Sequence, residues 1–310
     1  MPAKWFRCPS GKIIEIEKCL AHCDHRCLTT RTLRLIADQR EWKGIPSTTQ
    51  LLKGTRETFL EITTDYILDP QSALFRVHGT KGHAVLDKYT GENELGEERL
   101  FDEICSGQFD HYDPVSKTIT DSKTWGSYKV ARALGIRTKK VEVQEVDDQG
   151  NVILLKSGPR KGQPKTKTVT EFIEGAKDRL DTAIQLNDYR MKLEKLFPVE
   201  HMAIEALVRD GGTWIAESRG IKLQGYLIPV NRISDHWIKI YLKAKADALH
   251  KALETNVCPK ICRMRERWGG KKCESYCNVR IACDQVDAGK PVNEIDVREV
   301  CQNEYLPKAN

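Results

Sequence analysis

The sequence lacks any long apolar run. Among its 310 residues, no apolar stretch approaches the ~20 residues that a helix needs to cross a bilayer. Residues 1–8 also lack the long apolar segment of a signal peptide, so we expect a cytoplasmic protein. There is no low-complexity linker. The composition, with 40% hydrophobic and 30% charged residues, excludes a disordered chain and predicts a globular protein with one principal core.

Two acidic residues flank a predicted turn in the middle of the chain. Asp110 precedes the Asp-Pro pair at 113–114, and residues 115–124 then alternate like a β-strand. Side chains two apart on a strand share a face, so Asp121 and Lys123 are expected to point into the same space. A hairpin would bring Asp110 beside Asp121. Because two adjacent carboxylates repel each other, the pattern predicts a hard divalent cation, Mg²⁺ or Mn²⁺, between them.

The lysine beside this pair has two interpretations. Lys123 could position the attacking water or stabilise negative charge on a pentacovalent phosphate. Taken alone, however, Asp-x-Lys equally describes exposed charges beside a turn. Two further patterns accompany it. His83 lies in a segment, 79–87, that reads as the start of a helix, and Gln185 and Tyr189 are four apart on a predicted helix, 177–196.

In chain order, these patterns are Gly-Thr-x-x-His, Gly-x-x-Asp, Asp-x-Lys-Thr and Gln-x-x-x-Tyr. Together they resemble a RecB-like nuclease of the PD-(D/E)xK superfamily, in the iron–sulfur branch that includes the CRISPR-associated exonucleases and AddB. The resemblance extends over roughly residues 46–283. It implies metal ligation by three side chains and one backbone carbonyl, a catalytic lysine, and a Gln/Tyr pair that holds the site together and touches DNA. These residues are, in the same order, His83, Asp110, Asp121 and Ser122, then Lys123, then Gln185 and Tyr189.

The resemblance implies an α/β fold with a restriction-endonuclease-like core, in which helices flank a mixed central sheet. It also implies a Mg²⁺- or Mn²⁺-dependent deoxyribonuclease. The expected activity is exonucleolytic, on single-stranded or free-ended DNA, in recombination, phage replication or CRISPR adaptation, with protein partners in such pathways. The alternatives are an endonuclease of the same fold, a non-catalytic DNA-binding or scaffolding module, and a zinc-ribbon transcription factor. The last leaves the carboxylates unexplained.

The chain has 11 cysteines, which in a reducing compartment predict metal binding rather than disulfides. Nine of them form two groups, and more thiols are present than one zinc or one cubane cluster needs. Cys105 is expected to be a buried small apolar residue, and Cys301 lies apart. The two groups are Cys8, Cys19, Cys23 and Cys27 near the start, and Cys258, Cys262, Cys273, Cys277 and Cys283 near the end.

The resemblance implies a 4Fe–4S cluster held by one upstream and three C-terminal cysteines. This chain departs from that pattern, because Cys273 and Cys277 are one residue too far apart and residues 52–55 contain no cysteine. We therefore expect a cluster around Cys273, Cys277 and Cys283, with Cys27 or a neighbouring thiol as the fourth donor. A zinc site would draw on the N-terminal group. How the remaining thiols divide between the two sites is left open by their spacing.

Two basic segments are candidate DNA contacts. One is a Gly/Pro-punctuated loop, and the other lies among the C-terminal cysteines, where Trp268 and Tyr276 are interleaved. Basic side chains follow a phosphate backbone and aromatic rings stack on bases, although any single charge run can also be a solvated face. The candidates are Arg160, Lys161 and Lys165 in the loop, and Arg263, Arg265, Arg267, Lys271 and Lys272 near the C-terminus.

These features divide the sequence into a cysteine-rich segment at 1–45, a nuclease core at 46–257, and a cysteine-rich segment and tail at 258–310. Hydrophobic patterning and cap signals predict the secondary structure between the motifs. We expect helices at 33–42, from 46, at 128–134 and at 237–253, the last capped by Asp235. Strands are expected at 201–209 and 225–233, and a hairpin is expected to pair 140–145 with 151–156.

Overall fold

The computed structural model describes residues 3–39 and 41–298. Cys301 therefore lies outside the described residues. The strands are β1 Trp5–Arg7, β2 Ile13–Glu15, β3 Ile67–Leu68, β4 Leu95–Gly96, β5 Arg99–Phe101, β6 Ser106–Gln108, β7 His111–Asp113, β8 Thr118–Trp125, β9 Ile136–Gln144, β10 Thr166–Glu174, β11 His201–Val208 and β12 Gly225–Pro229. The α-helices are α1 Ile16–His22, α2 Thr30–Ala37, α3 Thr48–Leu52, α4 Thr55–Thr63, α5 Pro70–Leu86, α6 Ser127–Leu134, α7 Leu180–Leu193, α8 Trp214–Glu217, α9 Asp235–Thr255, α10 Lys271–Ser275 and α11 Arg280–Asp287.

The chain divides into two compact units. The first contains residues 1–121, 181–202 and 230–310, and the second contains residues 122–180 and 203–229. Both cysteine-rich segments belong to the first unit. Strands β8 and β11 each begin in the first unit and end in the second.

The principal sheet is mixed and helices flank it, as the sequence predicts for an α/β protein. Its strand order is β12-β11-β8-β7-β4. The β4–β7, β7–β8 and β11–β12 pairs are antiparallel. Strands β8 and β11 run parallel, because hydrogen bonds join residues 117 and 200 at one end and residues 125 and 209 at the other.

A three-stranded sheet, in the order β2-β1-β3, opens the first unit. Phe6 on β1 lies in an apolar core with Leu33 and Ile36 of α2 and with Phe59 and Leu60 of α4, all of them almost fully buried. Burial of large apolar side chains is the main source of folding free energy, at roughly 1.5–3 kcal/mol for each such residue. The N-terminal cysteine segment is therefore built onto the main core of this unit.

Helix starts follow local cap chemistry. Ser47 and Gln50 form a capping box at α3, where the predicted helix start lies. The sequence predicts that Asp235 caps the long helix α9, and this prediction is wrong. The hydroxyl of Ser234 accepts the N–H of Trp237 instead, and Asp235 forms an ion pair with Arg190.

The helix that contains His83 begins earlier than the sequence suggested. Helix α5 starts at Pro70, where proline occupies the first turn and Asp69 accepts the N–H of Gln71. His83 consequently lies in the last turn of α5 and not in the first. The predicted helix at 33–42 is also displaced, since α2 ends at Ala37.

The second unit contains a long two-stranded ribbon. Strands β9 and β10 pair antiparallel over nine residues each, from Ile136 opposite Glu174 to Gln144 opposite Thr166. The predicted pairing of 140–145 with 151–156 is therefore wrong in its main part, because β9 forms its ladder with β10. The predicted turn at 147–150 is present, and hydrogen bonds from Asp147 to Asn151 and from Ile153 to Glu145 pair its two arms briefly. Segment 151–155 forms the isolated bridges Val146–Val152 and Leu154–Pro164 and no strand of its own.

Elsewhere the predicted elements match the observed ones to within a few residues. Helix α6 begins at residue 127 and α7 extends over 180–193, while β11 and β12 fall inside the two predicted strands. Of the helices that the structure describes, none is long and apolar enough to cross a membrane.

Candidate functional site

Three metal-ligating side chains converge in the first unit. One ligand atom each from His83, Glu97 and Asp110 lies within 4.8 Å of the other two. The Nδ1 of His83 is 3.3 Å from Oε1 of Glu97 and 3.5 Å from Oδ1 of Asp110. All three side chains are partly buried, with Asp110 the least exposed at 14%. An imidazole and two carboxylates at this separation could share one divalent cation.

The sheet brings the two carboxylates together. In the antiparallel β4–β7 pair, Gly96 lies opposite His111, so Glu97 lies opposite Asp110 one position further on. The N–H of Glu97 donates to the carbonyl of Asp110 at 3.0 Å. Gln108 donates to Oε2 of Glu97 at 2.6 Å. Glu97 also has φ +52°, a strained conformation for a residue with a side chain, of the kind that clusters at functional sites.

Asp121 lies beside Asp110, as the hairpin prediction requires. His111 pairs with Thr120 across β7 and β8, and the same register places Asp110 opposite Asp121. The Asp121 side chain is almost completely buried, at 1% exposure. Asp121 is not a member of the trio within 4.8 Å, and the carboxylate that joins Asp110 there is Glu97.

Ser122 and Lys123 follow Asp121 directly along β8. Because faces alternate along a strand, Lys123 shares the face of Asp121 and Ser122 points to the other face. The Ser122 hydroxyl donates to Glu205 of β11 at 2.6 Å, consistent with that orientation. The strand predicted over residues 115–124 is therefore present as β8, Thr118–Trp125.

Gln185 and Tyr189 lie one turn apart on α7, as predicted, and contact each other. The amide of Gln185 donates to the Tyr189 hydroxyl at 2.6 Å. Burial raises the pKa of Tyr189, hydrogen bonds from Gln185 and Thr49 oppose that rise, and the carboxylates of Asp121 and Asp110 add to it. The phenol hence stays neutral and lies close to both acidic residues.

A glycine leaves room for the tyrosine ring. A Cβ atom at Gly107 would come within 2.5 Å of Cε1 and 2.6 Å of Cδ1 of Tyr189. Such contacts are sterically excluded, so Gly107 on β6 lets the Tyr189 ring pack directly on the strand backbone.

A buried ionic network lies on the same helix, one turn past the Gln/Tyr pair. Lys192 forms ion pairs with Asp188 and, at 2.9 Å, with Asp102, and its Nζ is 3.5 Å from the Cys105 thiol. Thr48 donates to Asp188 at 2.5 Å. Cys105 is therefore fully buried in the apolar core, as predicted, and its thiol also contacts this polar network. Burial raises the pKa of its thiol to about 12.

The C-terminal thiols form a second candidate site. A cavity of about 120 Å³ is lined by Cys262, Cys273, Cys277 and Cys283 together. Burial raises the thiol pKa of Cys277 to about 12, and the nearby Glu57 adds to that rise. No three described thiols lie within 4.8 Å of one another.

Two residues around the start of α4 contact these thiols. A Cβ atom at Gly54 would overlap the sulfur of Cys262 and lie 2.6 Å from its Cβ. The guanidinium of Arg56, which is largely buried, donates to the Cys283 sulfur at 3.4 Å and forms an ion pair with Asp287. A buried cation beside a thiol group suits a negatively charged thiolate set.

The N-terminal thiols form a separate group. The thiols of Cys23 and Cys27 raise the pKa of Cys8, and those of Cys8, Cys23 and Cys27 raise the pKa of Cys19. The thiols of Cys19 and Cys23 lie within hydrogen-bonding reach of each other. The expectation that Cys27 completes the C-terminal site is not supported, because Cys27 interacts with Cys8 and Cys19.

The basic candidates have different environments. Arg160 and Lys161 are exposed in a turn near the end of the ribbon, whereas Lys165 is paired with Glu145 at 2.8 Å. Lys272 is largely buried in an ion pair with Glu57. Near the C-terminus, Arg263 and Lys271 are exposed, Arg265 pairs with Asp181, and Arg267 lines the thiol cavity.

The two interleaved aromatic residues are both exposed and adjacent. The ring centroids of Trp268 and Tyr276 lie 5.6 Å apart, with exposures of 54% and 63%. The ammonium of Lys272 sits 5.5 Å from the Trp268 ring. Exposed aromatic rings next to cations are the elements of a base-stacking surface.

Sequence reasoning missed Glu97 and Gly54. Glu97 belongs to an acidic stretch, 92–98, that looks like a solvated face, and only the β4–β7 register distinguishes it from Glu98. Gly54 lies near the position where the pattern of the resembled nucleases has a cysteine. The missing cysteine was therefore the one sequence signal at this residue. The structure brings a cysteine there from residue 262.

The chain was compared with protein-family models, with curated proteins and with solved structures, and none of the three comparisons finds a match.

Proposed function

We propose that this protein is a divalent-metal-dependent deoxyribonuclease with a RecB-like, PD-(D/E)xK type of site. The observation that carries the proposal is the convergence of His83, Glu97 and Asp110 at one end of a hairpin whose other strand contains Asp121 and Lys123. The three side chains come from the last turn of a helix and from the residues that flank β4 and β7, and all three are partly buried.

The donor set fits Mg²⁺ or Mn²⁺. Carboxylate oxygens and one imidazole are ligands that these cations accept, with Mn²⁺ tolerating the nitrogen better. His83, Glu97, Asp110 and Asp121 would hold the ion, with the Ser122 carbonyl as a further oxygen donor. When bound, the ion would polarise a phosphoryl oxygen and lower the pKa of a coordinated water.

The protein's own groups would supply the rest of the chemistry. Lys123, on the face of Asp121, would orient the attacking water or stabilise charge on the pentacovalent phosphate. Tyr189 is held by Gln185 and lies near both acidic residues, and it would donate a hydrogen bond to the DNA strand. Because the phenol stays neutral, it adds no charge that would repel a phosphate.

An iron–sulfur cluster fits the C-terminal cavity. Four thiols line it, Gly54 leaves space for one of them, and Arg56 offers a compensating cation. Cys262, Cys273, Cys277 and Cys283 would hold the cluster, with Cys258 beside them. Its role would be structural, since it would tie α10 and α11 to α4 and so brace the site. Anaerobically purified protein should be brown, and colourless protein containing only zinc would refute the cluster.

Free-ended or single-stranded DNA is the substrate class that we infer. The exposed Trp268–Tyr276 pair offers stacking on bases. The basic turn of Arg160 and Lys161 offers phosphate contacts. Such contacts tolerate any sequence, as an exonuclease requires. An endonuclease would use the same groups.

The decisive experiment measures cleavage of end-labelled single- and double-stranded DNA with Mn²⁺. The variants are Lys123→Ala and Asp121→Asn, the second chosen because the buried site tolerates an isosteric change best. Lys251→Ala, an exposed position on α9, is the matched control. Cleavage by wild type and control but by neither variant supports the proposal. The product ladder distinguishes exonucleolytic from endonucleolytic action.

Binding must be measured on the same samples. If wild type binds DNA but never cuts it, and both variants bind equally well, the nuclease proposal fails and the protein is a DNA-binding module. If the variants cut like wild type, Asp121 and Lys123 are not in the site.

A further inference from the structure

The N-terminal thiol group has no part in the proposed chemistry, yet its surroundings are well defined. Cys8 occupies the turn that closes the β1–β2 hairpin. Its N–H donates to the carbonyl of Lys12 at 2.8 Å, and its carbonyl accepts the N–H of Gly11 at 2.8 Å. Gly11 has φ +83°, a conformation that glycine adopts without strain. The hairpin turn therefore fixes the position of the first thiol.

The next two thiols come from the helix that follows this hairpin. Helix α1 begins directly after β2. Cys19 is buried on it, and Cys23 follows one turn later at its C-terminal cap. Residues four apart lie on the same side of a helix, which agrees with the hydrogen-bonding reach between the two thiols.

A side-chain bond folds the fourth thiol back towards the helix. After α1 the chain has no regular structure until Thr29 caps α2. Within this stretch, the guanidinium of Arg26 donates to the carbonyl of Leu20 on α1, at 3.1 Å. The neighbouring Cys27 is thereby returned to the helix and contributes to the electrostatics of Cys8 and Cys19.

We propose that Cys8, Cys19, Cys23 and Cys27 bind one structural zinc ion, distinct from whatever fills the C-terminal cavity. Four cysteines from a tight turn, a helix and an irregular segment supply the number and type of donors of a closed tetrahedral zinc site. Binding would draw the sulfur atoms together, because no three described thiols lie within 4.8 Å of one another in this structure. Such an ion would fix the hairpin against α1. Because β1 also pairs with β3, which leads through Asp69 into α5, the site would brace the helix that contains His83.

The test counts metals in the full-length protein and does not depend on nuclease activity. Zinc and iron per chain are measured by mass spectrometry after anaerobic purification, in wild type, in a Cys23→Ser/Cys27→Ser double variant and in Cys277→Ser. We expect the double variant to lose about one zinc per chain and to keep the other metal and its absorbance. Cys277→Ser should show the opposite pattern. Ser10→Ala, in the hairpin turn but with no metal ligand, is the control and should match wild type.

Two results would overturn the proposal. One is a loss of the second metal from the double variant with its zinc unchanged, which would assign these thiols to the C-terminal site. The other is unchanged metal content. Should the double variant fail to fold, Co²⁺ is titrated into a metal-stripped Cys262→Ser/Cys277→Ser variant, in which the C-terminal group keeps only three thiols. Thiolate-to-cobalt bands with the intensity of a four-thiolate site then come from the N-terminal group and support the proposal, and bands of three or fewer thiolates refute it.

Discussion

Replacing Lys192 by methionine should destabilise the protein strongly and in a pH-dependent way. The side chains of Lys192 and Asp188 are each 1% exposed, and Asp102 is the other carboxylate on the same ammonium. Removing one partner of a buried ion pair leaves an uncompensated buried charge and costs about 3–5 kcal/mol. Methionine preserves most of the volume, so the loss reports on charge and not on a cavity.

The pH dependence follows from the direction of the pKa shift. Burial already raises the pKa of Asp188 above its ordinary value, against the opposing effect of Lys192. Without the lysine the folded-state pKa of Asp188 rises further. A carboxyl whose pKa is higher in the folded state contributes stability at pH values below its unfolded pKa, and that contribution is lost as the pH rises through the folded value. The variant's deficit should therefore be smallest near about pH 4 and largest near neutrality.

The assay is urea unfolding followed by tryptophan fluorescence at several pH values. Lys195→Met, the same change at an exposed position three residues further on, should cost less than about 0.5 kcal/mol. Adding Asp188→Asn to Lys192→Met removes the orphaned charge and should recover roughly 1–3 kcal/mol. A deficit below about 1 kcal/mol for Lys192→Met, or one that does not vary with pH, would refute the reasoning.

Three further predictions concern the candidate site. Glu97→Gln should weaken Mn²⁺ binding by roughly 10–100-fold, as measured by calorimetry. The same change at the next residue, the exposed Glu98, should leave binding unchanged. Equal effects of the two changes would remove Glu97 from the site. Gln185→Ala should lower the cleavage rate by about 10²-fold through a misplaced tyrosine without shifting the urea midpoint, and an unchanged rate would contradict this. Gly107→Ala should displace the Tyr189 ring and cost about 1–3 kcal/mol in the free energy of unfolding, and wild-type stability would show that the strand can adjust.

The local part of the site was predictable from sequence. The strand around Asp121, the turn signal at 113–114 and the four-residue spacing of Gln185 and Tyr189 are short-range features, and each one is present in the structure. Glu97 was not predictable, because its role depends on which strand pairs with β7. The partner of β9 was missed for the same reason, since about twenty residues separate it from β10 and nearer segments compete.

The burial of charged side chains was the second feature that the sequence did not predict. Asp188 and Lys192 are four apart on a helix, and in sequence they look like an exposed pair of the kind that contributes about 0.3–0.5 kcal/mol. Nothing local indicates that Asp102 and Thr48 enclose them. The early start of α5, by contrast, was visible in the Asp-Pro pair at 69–70, a common N-terminal signal that the glycine at 79 obscured.

The overlap between Gly54 and Cys262 makes two distant positions in the chain mutually exclusive. A cysteine at 54 and a cysteine at 262 would compete for one volume, so only one of them can face the cavity at a time. A thiol can therefore change its place in the sequence by about two hundred residues while keeping its place in space. We expect Gly54→Cys to be incompatible with wild-type Cys262 but to restore metal content when combined with Cys262→Gly. In an alignment of chains with this fold, we expect position 54 to be cysteine where position 262 is glycine, and the reverse. A search that relies on cysteine spacing alone would overlook this exchange.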